Sequence, residues 1–96
     1  VGNMDIEALD LFNQKSEILK ALAHPIRLCI VQGLMEEEGR NVTTIKNCLN
    51  TPQSTISQHL TKLKAAGIIE GKRNGTEINY YVKNEDAKNV INSILK

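Results

Sequence analysis

The stretch from Asn50 to Gly67, NTPQSTISQHLTKLKAAG, constrains the fold more than any other part of the chain. Thr51 has the side chain of an N-cap, and Pro52 suits the first helical position, where a missing N–H costs nothing. Gly67 supplies the left-handed residue that stops a helix. Between these signals Ile56, Leu60 and Leu63 recur at helical spacing, which predicts an amphipathic helix with one narrow stripe toward a core. The rest of its surface is unusual. Gln53, Ser54, Thr55, Ser57, Gln58 and Thr61 are polar and uncharged, and Lys62 is the first charge. An ordinary solvated face would carry more Glu and Lys. Gln, Ser and Thr are residue types that reach base edges and phosphate oxygens in a DNA major groove. Taken alone, the helix fits a surface without a partner equally well, so its neighbours decide.

Upstream, Asn41 to Leu49 reads as a short helix with Val42, Ile45, Cys48 and Leu49 inward. Asn50-Thr51-Pro52 is then the tight turn of a helix-turn-helix. After Gly67 the apolar period changes from 3.6 to 2. Ile68-Ile69 opens a strand, and Ile78, Tyr80 and Val82 alternate along a returning one, with Tyr80 packing and Tyr81 on the solvent or DNA side. Asn74-Gly75 predicts a type I′ hairpin turn, in which both residues take positive φ. Lys72 and Arg73 stand beside it, which makes the hairpin a basic-tipped wing. An N-terminal helix spans about Asp5 to Leu22, with Ile6, Leu9, Phe12, Ile18, Leu19 and Leu22 as its apolar positions. A second runs from Pro25 to about Glu38, capped by His24 or Ala23 and ended by Gly39. That second helix is apolar nearly all round, as a central helix would be. A last helix, Asn84 to Lys96, carries Ala87, Val90, Ile91 and Ile94 on one stripe. The expected fold is mainly α with a small β-hairpin (α+β): a winged helix-turn-helix in the order α-α-α-α-β-β-α.

Ninety-six residues at 41% hydrophobic content make one domain, 1–96, with a thin aliphatic core. Residues 1–3, before Met4, read as a cloning remnant. The net charge of +1 hides an asymmetry: residues 1–39 carry three basic and seven acidic side chains, whereas residues 40–83 carry seven basic and two acidic ones. The basic block coincides with the polar helix and the wing, which points to a polyanion on one side of the domain. No glycine-rich phosphate loop, nucleophile with a base, or carboxylate pair suggests an enzyme or a cofactor. No run is long and apolar enough for a membrane span, and Cys29 and Cys48 do not form a secreted disulfide pattern, so the expected location is cytoplasmic. Residues 25–83 can cover only one face of each flanking helix. Helices 5–22 and 84–96 are therefore expected to dimerise through Ile6, Leu9, Phe12, Ala87, Val90, Ile91 and Ile94.

Three segments, AHPIRLCIV, LNTPQSTISQHLTKLKAAGII and KRNGTEINYYV, resemble the winged-helix repressors of the ArsR/SmtB family. The resemblance covers roughly residues 18–83 and is most specific from Pro52 to Ile69. It implies a homodimeric repressor that binds an inverted-repeat operator in double-stranded DNA and leaves it when an inducer arrives. By position, Gln53, Ser54, Ser57 and Gln58 match groove-contacting residues, and Arg73 with its neighbours matches the wing. Together with the residue types, this makes Gln53, Ser54, Thr55, Ser57, Gln58, Thr61, Lys62, Lys72, Arg73 and Asn74 the candidate DNA contacts. The family's metal sites have no counterpart: Asn41 and Thr43 stand where a cysteine pair would be, and residues 84–96 contain no histidine. His24 and His59 read as structural residues. Members that sense oxidants or persulfides carry a cysteine on the second helix and another on the last. Here Cys29 is three positions early and the last helix has none. A thiol switch through Cys29, on the side of its helix expected to meet the dimerising helices, or through Cys48 is the alternative sensing mode. Packing is the plainer role for both. A winged-helix protein-interaction module without DNA binding is the alternative function, although it would be expected to lose the basic wing.

Overall fold

The computed structural model describes residues 5–95, without the side chains of Asn47 and Cys48. The remnant assigned to residues 1–3, the start at Met4 and the side chain of Cys48 lie outside the described residues. The chain runs through α1 (Ile6–Leu22), α2 (Pro25–Glu36), α3 (Val42–Leu49), α4 (Gln53–Ala65), β1 (Ile69–Asn74), β2 (Glu77–Val82) and α5 (Glu85–Ile94). This is the expected order of a winged helix-turn-helix.

Local chemistry explains most of the boundaries. Asp5, Asn41 and Asn84 each accept a backbone N–H three residues on, from Ala8 (2.7 Å), Thr44 (2.9 Å) and Ala87 (2.8 Å), which satisfies donors the helix itself leaves free. His24 caps α2 through Nδ1, which accepts the N–H of Ile26. The start of α4 departs from expectation. Its cap position is Pro52, not Thr51, and no side chain caps it. The Thr51 hydroxyl instead donates back to the Leu49 carbonyl, and the Pro52 carbonyl receives the N–H groups of Thr55 and Ile56. The expected stop at Gly67 is present, at φ +76°, with the Ile68 N–H on the Leu63 carbonyl. Helix α2 ends at Glu36, two residues before the expected Glu38. Gly39 lies beyond it in a left-handed turn, and its N–H is held by the Tyr80 carbonyl.

The core forms where α2 meets every other helix and β2. Ile30, Val31 and Leu34 of α2 are buried with Ile56, Leu60 and Leu63 of α4, Ile45 of α3, and Ile68, Ile69, Tyr80 and Val82 around the hairpin. Ile18 and Leu22 close one side from α1, and Ala87 and Ile91 close another from α5. Lys15 of α1 pairs with Asp86 at the start of α5, so the terminal helices lie together. Burial pushes the Tyr80 hydroxyl above its usual pKa.

The two strands form an antiparallel hairpin with Ile69 opposite Val82 and Asn74 opposite Glu77. Its turn is Gly75-Thr76, one residue later than expected. Gly75 has φ +68° while Asn74 stays in the strand, the pattern of a type II′ turn rather than I′. Gly71 leaves no room for a side chain in this register: a Cβ there would stand 2.7 Å from a methyl of Ile78 and 3.3 Å from the Tyr80 ring. Tyr81 is not simply turned to solvent. It is half-buried, with its hydroxyl 3.2 Å from where a Gly39 Cβ would be. The molecule is elongated, at 49 × 29 × 21 Å, and its radius of gyration of 14.7 Å exceeds the about 12.5 Å of a compact chain this long.

Candidate nucleic-acid interface

The left-handed Asn50 (φ +51°) and the extended Pro52 turn the chain from α3 into α4. Asparagine tolerates this conformation without the full penalty of other side chains, which accounts for a residue type not singled out in the sequence. Ile56, Leu60 and Leu63 then anchor α4, and Gln53, Ser54, Ser57, Gln58 and Thr61 are exposed together on the opposite face. Thr55 is half-buried at the flank. The Thr61 hydroxyl donates to the Ser57 carbonyl (2.9 Å), which leaves its oxygen as an acceptor toward solvent.

Lys62 departs from this face. It lines a groove of about 760 Å³ with Gln14, Glu17 and Lys20 of α1, Arg27 of α2, and Lys83 beyond β2. At the other end of α4, Gln53 shares a cleft of about 250 Å³ with Asn41 and Thr43 at the start of α3 and with Thr76 and Glu77 of the wing. The structure thus brings the start of the polar helix and the hairpin tip to one side, a juxtaposition no sequence spacing shows. Thr43 and Thr76 are exposed polar residues of this cleft that sequence reasoning missed. On the wing, Lys72 lies 5.0 Å from the Tyr81 ring centroid and 3.7 Å from Glu70, so its ammonium is partly engaged. Arg73 and Asn74 are exposed near the tip.

The expected dimer residues divide. Ile6, Leu9 and Phe12 are exposed on α1, joined by Leu11 and Leu19, and Ile94 and Leu95 are exposed at the end of α5. Ala87 and Ile91 are not available: both are turned into the protomer's own core, and Val90 packs partly against it. Cys29 is exposed, but it opens toward α3 rather than toward the terminal helices. The small cavity it lines, about 160 Å³, is completed by Gln32, Arg40, Ile45 and Leu49. Among the described residues no cluster of three or more His, Cys, Asp or Glu is arranged to hold a metal ion.

Comparison with known proteins places this geometry. Residues 22–72 match the family described as a helix-turn-helix domain. The transcriptional repressor PagR of Bacillus anthracis is 42% identical over 76 residues, 79% of this chain and 76% of that protein. Its crystal structure superposes with a TM-score of 0.83 over 90% of this chain and 98% of that one, at 37% identity. The repressor SmtB of Mycobacterium tuberculosis is 37% identical over 85% of this chain, which spans 60% of that protein's length. The homodimeric winged helix-turn-helix DNA-binding domain of Mb0332 from Mycobacterium bovis superposes with a TM-score of 0.85 at 28% identity, covering 99% of this chain and 87% of that domain. With its hairpin wing, its polar fourth helix and this kinship in hand, the chain belongs to the ArsR/SmtB family of winged helix-turn-helix transcriptional regulators, which are DNA-binding proteins and not enzymes.

Proposed function

We propose that this protein is a homodimeric repressor that lays α4 in the major groove of an inverted-repeat operator and rests its wing on the flanking backbone. The exposed row Gln53, Ser54, Ser57 and Gln58, which has no core to face, carries the reading. Gln58 and Gln53 are the candidate base readers, because an amide can both donate to and accept from one base edge. Ser54, Ser57 and Thr61 serve as shorter contacts, and Lys72, Arg73 and Asn74 face phosphates from the wing. Thr55 is half-buried and Lys62 lines the groove with α1 and α2, and both contribute less to base reading. The protein then acts in the cytoplasm; no single described helix is long and apolar enough to cross a membrane.

Dimerisation supplies the second half of the reading head. The exposed apolar side chains of α1 and of the end of α5 lie on helices that pack together, and apolar patches of this kind mark interfaces. A two-fold pair would read half-sites about one helical turn, roughly 34 Å, apart. Release by an inducer belongs to the same reading. Cys29, exposed beside α3, is the described thiol at which an oxidant or persulfide would act. The test is selection of duplexes from a randomised library by the full chain, followed by footprinting on the selected sequence. A protected inverted repeat supports the reading, and no enrichment over input would sink it in favour of a protein-interaction module.

A further inference from the structure

The corner between α1 and α2 carries polar contacts that groove reading does not use. Arg27, in the first turn of α2, donates its Nε–H to the Ala21 carbonyl near the end of α1 (2.6 Å). Its Nη1 lies 3.3 Å from Nδ1 of His59 on α4. A guanidinium has donors and no acceptor, so this contact is a hydrogen bond only while Nδ1 of His59 carries no proton. The His24 ring lies 4.4 Å from that of His59, centroid to centroid, and its own Nδ1 is occupied in accepting the Ile26 N–H (3.1 Å). The His59 ring is therefore assigned as neutral, with its proton on Nε2.

We propose that Arg27 is a positioning residue for the reading helix: it ties the end of α1 to α4 through a neutral His59, and the tie opens when His59 takes up a proton. The inference rests on the DNA-binding reading above. α1 carries the apolar residues assigned to the dimer and α4 carries the base-reading face. A tie between them sets how the two reading helices of a dimer are spaced.

The charges around His59 favour the neutral ring. Arg27 from α2 and Lys62 from the next turn of α4 are the cations beside it, and the His24 ring faces it from the corner. From α1, Lys20 and Glu17 line the adjoining groove and pair with each other at 3.3 Å, and Lys83 lines it from the end of β2. Burial first, and then His24, Arg27 and Lys62, hold the His59 pKa below its ordinary value of 6.5. For a base lowered in this way, the stabilising contribution is complete above its unfolded value and shrinks as pH falls from there toward the folded one. The added proton also places positive charge beside Lys62, which strengthens attraction to any phosphate chain. Specific and non-specific affinity should therefore move in opposite directions on acidification.

The experiment uses the full chain, a duplex selected from a randomised library and a scrambled duplex of equal length. The ratio of the two affinities is measured at about pH 7.5 and then down to about pH 5, a range that reaches below ordinary histidine titration because His59 is lowered. For wild type the ratio should fall at least roughly fivefold, the low end of a typical coupling between sites. His59→Gln keeps a neutral acceptor for Arg27, so its ratio should stay close to the wild-type value of the higher pH throughout. Arg27→Lys keeps the charge but loses the fork, so its ratio should already be low at the higher pH while scrambled-duplex affinity is unchanged. His24→Ser keeps a cap for α2 and removes one influence that lowers the His59 pKa, so its ratio should fall at least as far as that of wild type. A flat wild-type ratio, or an undiminished fall in His59→Gln, overturns the proposal alone. Failure to select any duplex overturns the DNA-binding reading with it.

Discussion

Ile91 and Ile94 stand three positions apart on α5, yet Ile91 is 1% exposed and Ile94 is 59% exposed. One belongs to the protomer's core, and the other is exposed on the surface proposed to dimerise. Ile94→Glu, or Phe12→Glu on α1, should give a folded monomer with much weaker operator binding, read by sedimentation and circular dichroism. Ile91→Glu should instead unfold the chain, because a buried carboxylate without a partner is expensive. Ile91→Ala should cost about 2–5 kcal/mol. An unchanged dimer in both surface variants would move the interface elsewhere.

Base reading can be separated from phosphate binding. Gln58→Ala should lose about 1–3 kcal/mol on the selected duplex and relax preference at one base pair of each half-site. Arg73→Ala should weaken all sequences about equally and reduce the salt slope by roughly 1 per protomer. Unchanged affinity and specificity in Gln58→Ala would show that α4 is not the reading helix.

The salt dependence itself follows from where the cations sit. Lys62, Lys64, Lys72 and Arg73, doubled in a dimer, would neutralise about six to eight phosphates and give a log–log slope of roughly −5 to −7. Because Lys62 lines the groove with α1 and α2, the lower end, about −5, is expected. A slope near zero in titrations of affinity against salt would contradict a phosphate-binding wing.

Gly67 has φ +76° and open space where a Cβ would be, so nothing but backbone strain opposes a side chain there. Gly67→Ala should lower stability by about 1–2 kcal/mol in denaturant unfolding at fixed protein concentration, whereas Asn50→Gly should be nearly neutral. Equal effects of the two would mean that the left-handed turns are not what ends α3 and α4.

The thiol route has a simple readout. Peroxide or persulfide treatment should weaken duplex binding by wild type and leave Cys29→Ser unaffected. Equal binding by both proteins, reduced and treated, would remove Cys29 from the sensing mechanism and leave release to another inducer.

Features set by residues within one turn of one another were legible in the chain itself. Gly67 ends α4 because the atoms involved lie within five residues of one another, and the stripe Ile56, Leu60, Leu63 points inward because helical spacing leaves no other choice. The polar row from Gln53 to Thr61 was legible for the same reason. Docking between distant elements decided the rest. The depth at which α5 leaves the core separates Ile91 from Ile94, although both fit one stripe. Packing of α4 against α1 and α2 turns Lys62 into a groove and brings His59 to Arg27, and the position of α3 opens Cys29 to a side facing neither terminal helix. Across the hairpin, Asn74 pairs with Glu77 in the strand ladder, and the turn falls one residue past it, against the preference of the Asn-Gly pair. Periodicity tells which way a side chain points from its own helix or strand, but what stands opposite depends on the distance and angle between elements, and these are set by packing among residues far apart in sequence.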